Sequence, residues 1–448
     1  MNSTMNWNRT MVAWRCCVGL TFMLFACAAL AHDSIPGAPQ QRPIALVGGK
    51  VFPVSGEPIE DGIVLFDKGE IVAVGAKVDL PEGTEKIDVA GKHVYPGLFD
   101  AHTNLGLIEI PSIRATVDER EVGLINPNVE AIKAVHPDSE LIPVTRANGV
   151  LLALSAPGGP LLSGRSSAIQ LDGWTWEEMT VKTDVGMHLL WPLERPIRDW
   201  RVPLTAKKQV ELRDEQLLAL KQAFDDATAY KTAREAADKG DVQFAIDARW
   251  EALLPVLAGK QPLIVSAEEI QQIEAAVAFV HSRKLKMILQ GGYDAPHCVA
   301  LLKQHQIPVL LEGTYRLPLR PDEDYDAPFS LPERLRAAGV KFCIAGGGRH
   351  ATENTRNLPY HAAQAVAFGL PPEEALRAIT LSPAEILGVA DRVGSLETGK
   401  DATLIVTDGD ILSSTTHVEK AWIQGRAVDL SDRQTRLRAK YEQKYKKP

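Results

Sequence analysis

The chain has 448 residues, of which 45% are hydrophobic and 24% charged, so it has an ordinary globular composition with room for one large domain or two. Its formal net charge of −8 gives no electrostatic reason to expect nucleic acid or an anionic membrane as a partner. Nucleic acid is therefore not an expected partner. The oligomeric state stays open, with a homo-oligomer as one option.

The first 31 residues are predicted to be a secretory signal peptide. Arg9 and Arg15 supply a positive start, the run from Cys16 to Leu30 is apolar, and Ala29-Leu30-Ala31 is a small-residue cleavage site. The apolar run is shorter than the ~20 residues that a membrane span needs, so we expect no integral span in the mature chain. The protein is thus expected to be exported, to the periplasm or the extracellular space, with lipidation at Cys27 as the alternative.

Two cysteines, Cys298 and Cys343, lie beyond this segment, and both have apolar neighbours in the sequence. Buried free thiols are the expected state. A single disulfide stays open as an alternative, because an exported protein meets an oxidising compartment.

The two ends of the mature chain share a β-rich pattern. Residues 44–92 alternate short apolar runs with turns, and residues 399–428 do the same. Each piece is too small to form a core alone. We therefore predict one small β-sandwich domain formed by residues 32–93 and 391–430, followed by a charged tail at 431–448.

The middle of the chain, residues 94–390, alternates apolar runs with helical patterns. Strands that are apolar throughout and separated by helices favour a parallel sheet covered on its outside. Eight candidate strands predict an α/β fold, a closed (β/α)8 TIM-like barrel inserted in the β domain. An open doubly wound sheet is the alternative, although no G-x-G-x-x-G follows a strand. The eight strands are predicted at Tyr95–His102, Val150–Ala156, Ser167–Leu171, Met187–Trp191, Pro262–Ala267, Lys286–Gly291, Ile307–Glu312 and Lys341–Gly346.

The first predicted strand ends in a polar cluster of Asp100, His102 and Asn104. Alternate residues of a strand point to the same side, so His102 and Asn104 are expected to face together. A polar tip on an apolar strand indicates the mouth of a site at this end of the barrel.

Three motifs, in this order along the chain, carry a resemblance to a known family. They are Pro96-Gly97-Leu98-Phe99-Asp100-Ala101-His102, Leu381-Ser382-Pro383-Ala384 and the run from Gly394 to Ala402 that re-enters the β domain. Together with the split β domain they make the chain resemble the amidohydrolase superfamily, near exported proteins related to imidazolonepropionase. The resemblance covers most of the mature chain and implies metal-assisted hydrolysis at the carboxyl ends of the barrel strands.

The ligand set that this resemblance implies is mostly absent. The family holds its metal ions with an H-x-H pair on strand one, histidines on strands five and six, and an aspartate on strand eight. Here His102 is present, but Asn104, Ser266, Gln290 and Gly346 occupy the other positions. Neutral amide and hydroxyl oxygens are poor zinc ligands. We therefore expect no cofactor, with one weakly bound divalent metal such as zinc at His102 as the alternative.

Other residues could complete a site at the same mouth. Arg349 and His350 follow the glycines after the last strand and are candidate catalytic residues beside His102. Glu312 ends strand seven and is a candidate pocket residue, although a pairing with Arg316 or another loop cation is the favoured explanation. Arg165 is a candidate contact for a carboxylate ligand.

Two functions from different classes follow from these residues. The first is a hydrolase that cleaves a C–N bond in a cyclic amide or related small molecule, with a strongly eroded metal site. The second is a metal-free, catalytically inactive exported protein that keeps the barrel and its pocket for ligand binding or interaction.

Overall fold

The computed structural model describes residues 35–240, 244–347 and 351–446. Within these ranges the strands form two sheets of eight. The predicted fold class is confirmed: helices accompany a barrel sheet, and a separate β unit takes strands from both ends of the chain. The predicted signal peptide lies outside the described residues.

The β unit combines both chain ends in one hydrogen-bonded sheet. Its strands are β1 (Ile44–Val51), β2 (Ile59–Asp67), β3 (Glu70–Gly75), β4 (Glu85–Asp88), β5 (His93–Pro96), β14 (Leu404–Thr407), β15 (Val418–Ile423) and β16 (Arg426–Ala427). The order is β16-β15-β14-β5-β1-β2-β3, with β4 also paired to β1. The ends meet where β5 and β14 pair antiparallel, and Phe66 packs edge-on against Trp422 with ring centroids 5.7 Å apart. The two ends therefore share one apolar core.

The barrel sheet follows chain order from its first strand to its last. Its strands are β6 (Leu98–Thr103), β7 (Val150–Ser155), β8 (Leu162–Gln170), β9 (Thr180–Leu190), β10 (Leu263–Ala267), β11 (Met287–Gly291), β12 (Val309–Glu312) and β13 (Phe342–Ala345). Its two ends approach each other, and the backbone N–H of Gly346 donates to Oδ1 of Asp100 at 3.0 Å. The sheet is therefore nearly closed.

Two details of the barrel differ from the predicted strands. The predicted strand Tyr95–His102 is two strands, because the backbone N–H of Gly97 donates to Thr403 O in the β unit before the chain enters the barrel. A side chain at Gly97 would lie 2.9 Å from Leu151 Cβ, so only glycine fits this close passage. In addition, β8 begins at Leu162 and runs antiparallel to both β7 and β9.

Helices connect and cover the barrel strands. They span Leu141–Arg146, Trp176–Met179, Ala206–Ala237, Ala248–Leu257, Ile270–Ser282, Val299–Gln304, Ala327–Ala337, Ala351–Asn354, Leu358–Ala367, Pro372–Ala378, Leu381–Leu387 and Arg433–Tyr445, with 3-10 turns at Arg114–Thr116, Ala131–Ala134, Ala295–His297 and Thr355–Asn357. Most of the charged tail is thus the helix Arg433–Tyr445, which buries none of its residues. No helix in the described ranges has both the length and the apolar character of a membrane span.

The inward-facing residues of the barrel strands determine where the candidate site lies. Its apolar filling from the parallel strands includes Ile264, Ile288, Leu310 and Cys343. Because side chains alternate along a strand, residues two positions later lie on the same inner face at the strand ends. Those residues are Ser266 on β10, Gln290 on β11, Glu312 on β12 and Ala345 on β13. Both Cys298 and Cys343 are buried and free, so no disulfide joins them.

Candidate functional site at the barrel mouth

The carboxyl ends of β10, β11 and β12 surround the floor of a cavity of about 720 Å³. Ser266 and Gln290 lie opposite each other in the parallel register of β10 and β11. Ser266, Gln290 and Glu312 all line the cavity. The sequence placed these three residues and His102 at one mouth, and the structure brings them together there.

Gln290 links His102 to Glu312. Its Nε2 donates to Oε1 of Glu312 at 2.8 Å and lies 3.1 Å from Nδ1 of His102. An amide nitrogen can only donate, so Nδ1 of His102 accepts this hydrogen bond and the ring proton is on Nε2. If both ring nitrogens of His102 carried a proton, the Nδ1–H group would face the N–H of Gln290 and no hydrogen bond could form. This hydrogen bond therefore favours the neutral ring. Burial also lowers the pKa of His102, against the opposing effect of the Glu312 carboxylate.

A second imidazole lies against His102. The rings of His102 and His188 stack with centroids 5.8 Å apart, and His188 is buried. Burial, with His102 as a smaller cause, lowers the pKa of His188 well below its ordinary value. Its Nε2 makes no hydrogen bond within the described part of the chain. The mouth therefore contains two neutral imidazoles rather than a cationic pair.

Asp100 lies beneath this group and is fully buried. Its Oδ1 accepts hydrogen bonds from the backbone N–H groups of Gly346, at 3.0 Å, and of His102, at 3.1 Å. Burial raises the pKa of Asp100 to about 7, although both N–H groups act in the opposite direction. A Cβ at Gly346 would lie 2.6 Å from Oδ2 of Asp100, so the aspartate that the resemblance expects there would require the Asp100 carboxylate to move.

Glu268 is a site residue that the sequence reasoning missed. It lines the same cavity, its Oε1 pairs with Arg316 at 2.9 Å, and its Oε2 accepts the backbone N–H of Tyr293 at 2.9 Å. Burial raises its pKa, the Arg316 charge opposes that rise, and Glu312 adds to it. The resemblance draws attention to a missing histidine at Ser266, whereas a carboxylate two residues later was the available signal. The sequence suggested that Arg316 pairs with Glu312, but in the structure Arg316 pairs with Glu268.

The remaining candidate residues are placed differently. Nδ2 of Asn104 donates to Ala156 O at 2.8 Å, so this amide joins the ends of β6 and β7. Arg165 is not part of the cavity lining among the described residues. It forms ion pairs with Glu130 at 2.9 Å and Asp184 at 2.8 Å. Its guanidinium already has two carboxylate partners, which leaves the proposed ligand contact without support.

Arg349 and His350, the other two predicted catalytic residues, lie outside the described residues.

The described donors at the mouth do not make up the ligand set that a catalytic zinc ion usually takes. Such a site usually takes three protein ligands from imidazole, thiolate and carboxylate groups. Across the ranges that the structure describes, no three His, Cys, Asp or Glu side chains are grouped as a metal ion requires. Gln290 presents N–H groups to His102 and Glu312, where a metal ion would need their lone pairs.

Known proteins resemble this chain in both sequence and structure. Residues 205–428, half of the chain, match the model of the amidohydrolase family. The crystal structure of an amidohydrolase from Thermotoga maritima MSB8 has a TM-score of 0.78 and 26% identity, covering 86% of this chain and 99% of that one.

Two curated relatives have similar identity but different lengths. The imidazolonepropionase of Mesorhizobium japonicum is 25% identical over 385 residues, which cover 78% of this chain and 87% of that protein. Amidohydrolase tasK of Hapsidospora irregularis is 25% identical over 409 residues, which cover 82% of this chain but only 40% of tasK. This chain therefore spans less than half of tasK. By its fold, its motifs and these matches, the chain belongs to the amidohydrolase family and is related to the imidazolonepropionases.

Proposed function

We propose that the barrel mouth binds a small organic molecule without a metal ion, and that the protein keeps the amidohydrolase barrel as a binding site without hydrolysis. The observation that carries this proposal is the Gln290 carboxamide, which is hydrogen-bonded to both His102 and Glu312. The cavity in front of it has a mostly apolar lining with a few polar groups at its floor, as is typical of small-molecule sites.

The chemistry of amide hydrolysis explains why binding is favoured. A family metal ion lowers the pKa of its bound water and so supplies hydroxide near neutral pH. Without it, a side chain must activate the water as a general base, and that side chain needs a free lone pair within reach. Nδ1 of His102 carries a single lone pair, and it already accepts a hydrogen bond from Gln290. This nitrogen is therefore poorly placed to take a proton from water.

Hydrolysis of a C–N bond in a small cyclic amide is the second candidate function. Membership of the amidohydrolase family supports it, as does the similarity to an imidazolonepropionase. It would require His102 or a carboxylate at the mouth to work without the family's metal ion.

One screen separates the two functions. Lactams, hydantoins and dipeptides are tested on the purified mature protein for a rise in melting temperature and, in parallel, for product release. We expect compounds that stabilise the protein but are recovered unchanged. Product formation that disappears in His102→Ala, with the variant still folded by circular dichroism, would instead establish the hydrolase. The control Glu57→Gln changes an exposed residue of the β unit and should behave as wild type in both assays.

We also propose that the protein is exported, on the strength of the N-terminal residue pattern. Intact-mass analysis of the exported protein should give a chain that begins at His32, or a lipid-modified chain that begins at Cys27 if the alternative holds. A chain that still begins at Met1 would contradict export by cleavage.

A further inference from the structure

The charge on the cavity floor is unbalanced at Glu312. Its Oε1 accepts a hydrogen bond from the neutral amide of Gln290 at 2.8 Å. Within the described ranges, no Lys or Arg side chain forms an ion pair with it. A half-buried carboxylate without a cation is electrostatically unfavourable, because burial removes part of its hydration.

The neighbouring groups do not offset this charge. Glu268, the other carboxylate in the lining, is already neutralised by Arg316 at 2.9 Å. His102 is kept neutral by the hydrogen bond from Gln290. Among the described residues, the inner end of the cavity therefore has a net negative charge, located on Glu312.

The walls of the cavity indicate the rest of the ligand. They are mainly apolar, and their members include Trp191, Leu193, Leu204, Val210, Leu212 and Leu319. Two cations also belong to the lining. Arg213 pairs with Asp214 at 2.7 Å and approaches Glu194 at 3.8 Å, and Arg195 is exposed. The apolar part of a ligand fits these walls, while the Glu312 carboxylate at the floor requires a hydrogen-bond donor.

We propose that this cavity takes an amine, with its cationic nitrogen donating to Glu312 and its apolar body against the walls. This inference rests on the proposed small-molecule binding and names the class of ligand. A cationic donor forms a shorter and stronger hydrogen bond to a carboxylate than a neutral donor does. The floor should therefore discriminate between ligands by charge, and the apolar walls should contribute to the binding of all of them.

Three probes with the same phenylbutyl body test this proposal by titration calorimetry: 4-phenylbutylamine, 4-phenylbutan-1-ol and 4-phenylbutanoate. The amine and the alcohol can both donate to the Glu312 carboxylate, but only the amine adds a charge–charge attraction, so we expect the amine to bind at least about tenfold more tightly than the alcohol. The carboxylate should bind most weakly. Glu312→Gln keeps the shape and removes the charge, so it should abolish the preference for the amine over the alcohol.

The outcomes separate this inference from the proposed function. Equal binding of amine and alcohol by the wild type would contradict recognition of the charge while leaving the binding site intact. The same conclusion follows if the amine fails to bind while neutral compounds from the screen succeed. If no probe and no screened compound binds, the proposed function itself is wrong. Glu57→Gln is the control and should retain the preference for the amine.

Discussion

Replacing Asp172 by Ala is expected to lower the free energy of unfolding by about 3–5 kcal/mol, because it removes a counterion from a buried arginine. Asp172 and Arg146 are each 3% exposed, and Nη1 of Arg146 lies 3.0 Å from Oδ1 of Asp172. The same carboxylate accepts the backbone N–H of Gly37 at 3.2 Å and lies 3.3 Å from Arg426. It therefore connects the start of the described chain, the barrel and β16 of the β unit.

Denaturant unfolding followed by circular dichroism measures this loss. Asp199→Ala is the matched control, because it also removes an Asp–Arg pair, in that case with Arg201 at the surface. Exposed pairs contribute little to stability, so the control should unfold close to wild type. Equal midpoints for the two variants would show that Asp172 does not hold these parts of the chain together. The double variant Arg146→Met, Asp172→Leu should recover much of the loss, since it removes the buried arginine together with its buried counterion.

Replacing Asp100 by Asn is expected to stabilise the protein increasingly as the pH rises from about 4 to 7. Burial raises the pKa of Asp100 from its ordinary value of 3.8 to about 7 in the folded chain. Between these values the folded state holds a proton that the unfolded state has released, so wild-type stability falls as the pH rises. Above pH 7 the wild type has lost the full amount of unfolding free energy that this shift implies, on the order of 4 kcal/mol at 1.36 kcal/mol per pKa unit. Asparagine cannot ionise, and its side-chain oxygen can still accept from the same N–H groups.

The quantity to measure is the difference in unfolding free energy between Asp100→Asn and wild type at several pH values. Subtracting the wild-type value at each pH largely removes the contributions of His102 and His188, which both chains share. The exposed Asp79→Asn serves as the control. A difference that does not change between pH 4 and 8 would show that Asp100 does not titrate as its burial implies.

Much of the fold could be predicted from local features of the sequence. The β-rich segments at the two chain ends are each too small to form a core, and this predicted that they pair into one unit. The run from Pro96 to His102 identified the start of the barrel. The orientation of β8 was missed because the predicted strand started at Ser167, whereas β8 starts at Leu162. Only six residues then separate β7 from β8, too few for the crossover that a parallel pair needs.

The site was only partly predictable, for a physical reason. Strand ends can be found from the sequence, so the convergence of Ser266, Gln290 and Glu312 followed from the barrel itself. The partner that each side chain chooses depends on distances across the barrel, which no local pattern encodes. Arg316 had carboxylates at 268 and 312 within the same mouth and pairs with Glu268, and this choice leaves Glu312 with its charge.

Zinc binding tests the central proposal of a metal-free site most directly. The mature protein is dialysed against zinc, freed of excess metal by gel filtration and analysed by elemental mass spectrometry beside His102→Ala. The replacement of the family ligands around Gln290 predicts well under one zinc per chain, with the same content in both proteins. One equivalent of zinc in the wild type that is lost in His102→Ala would contradict it.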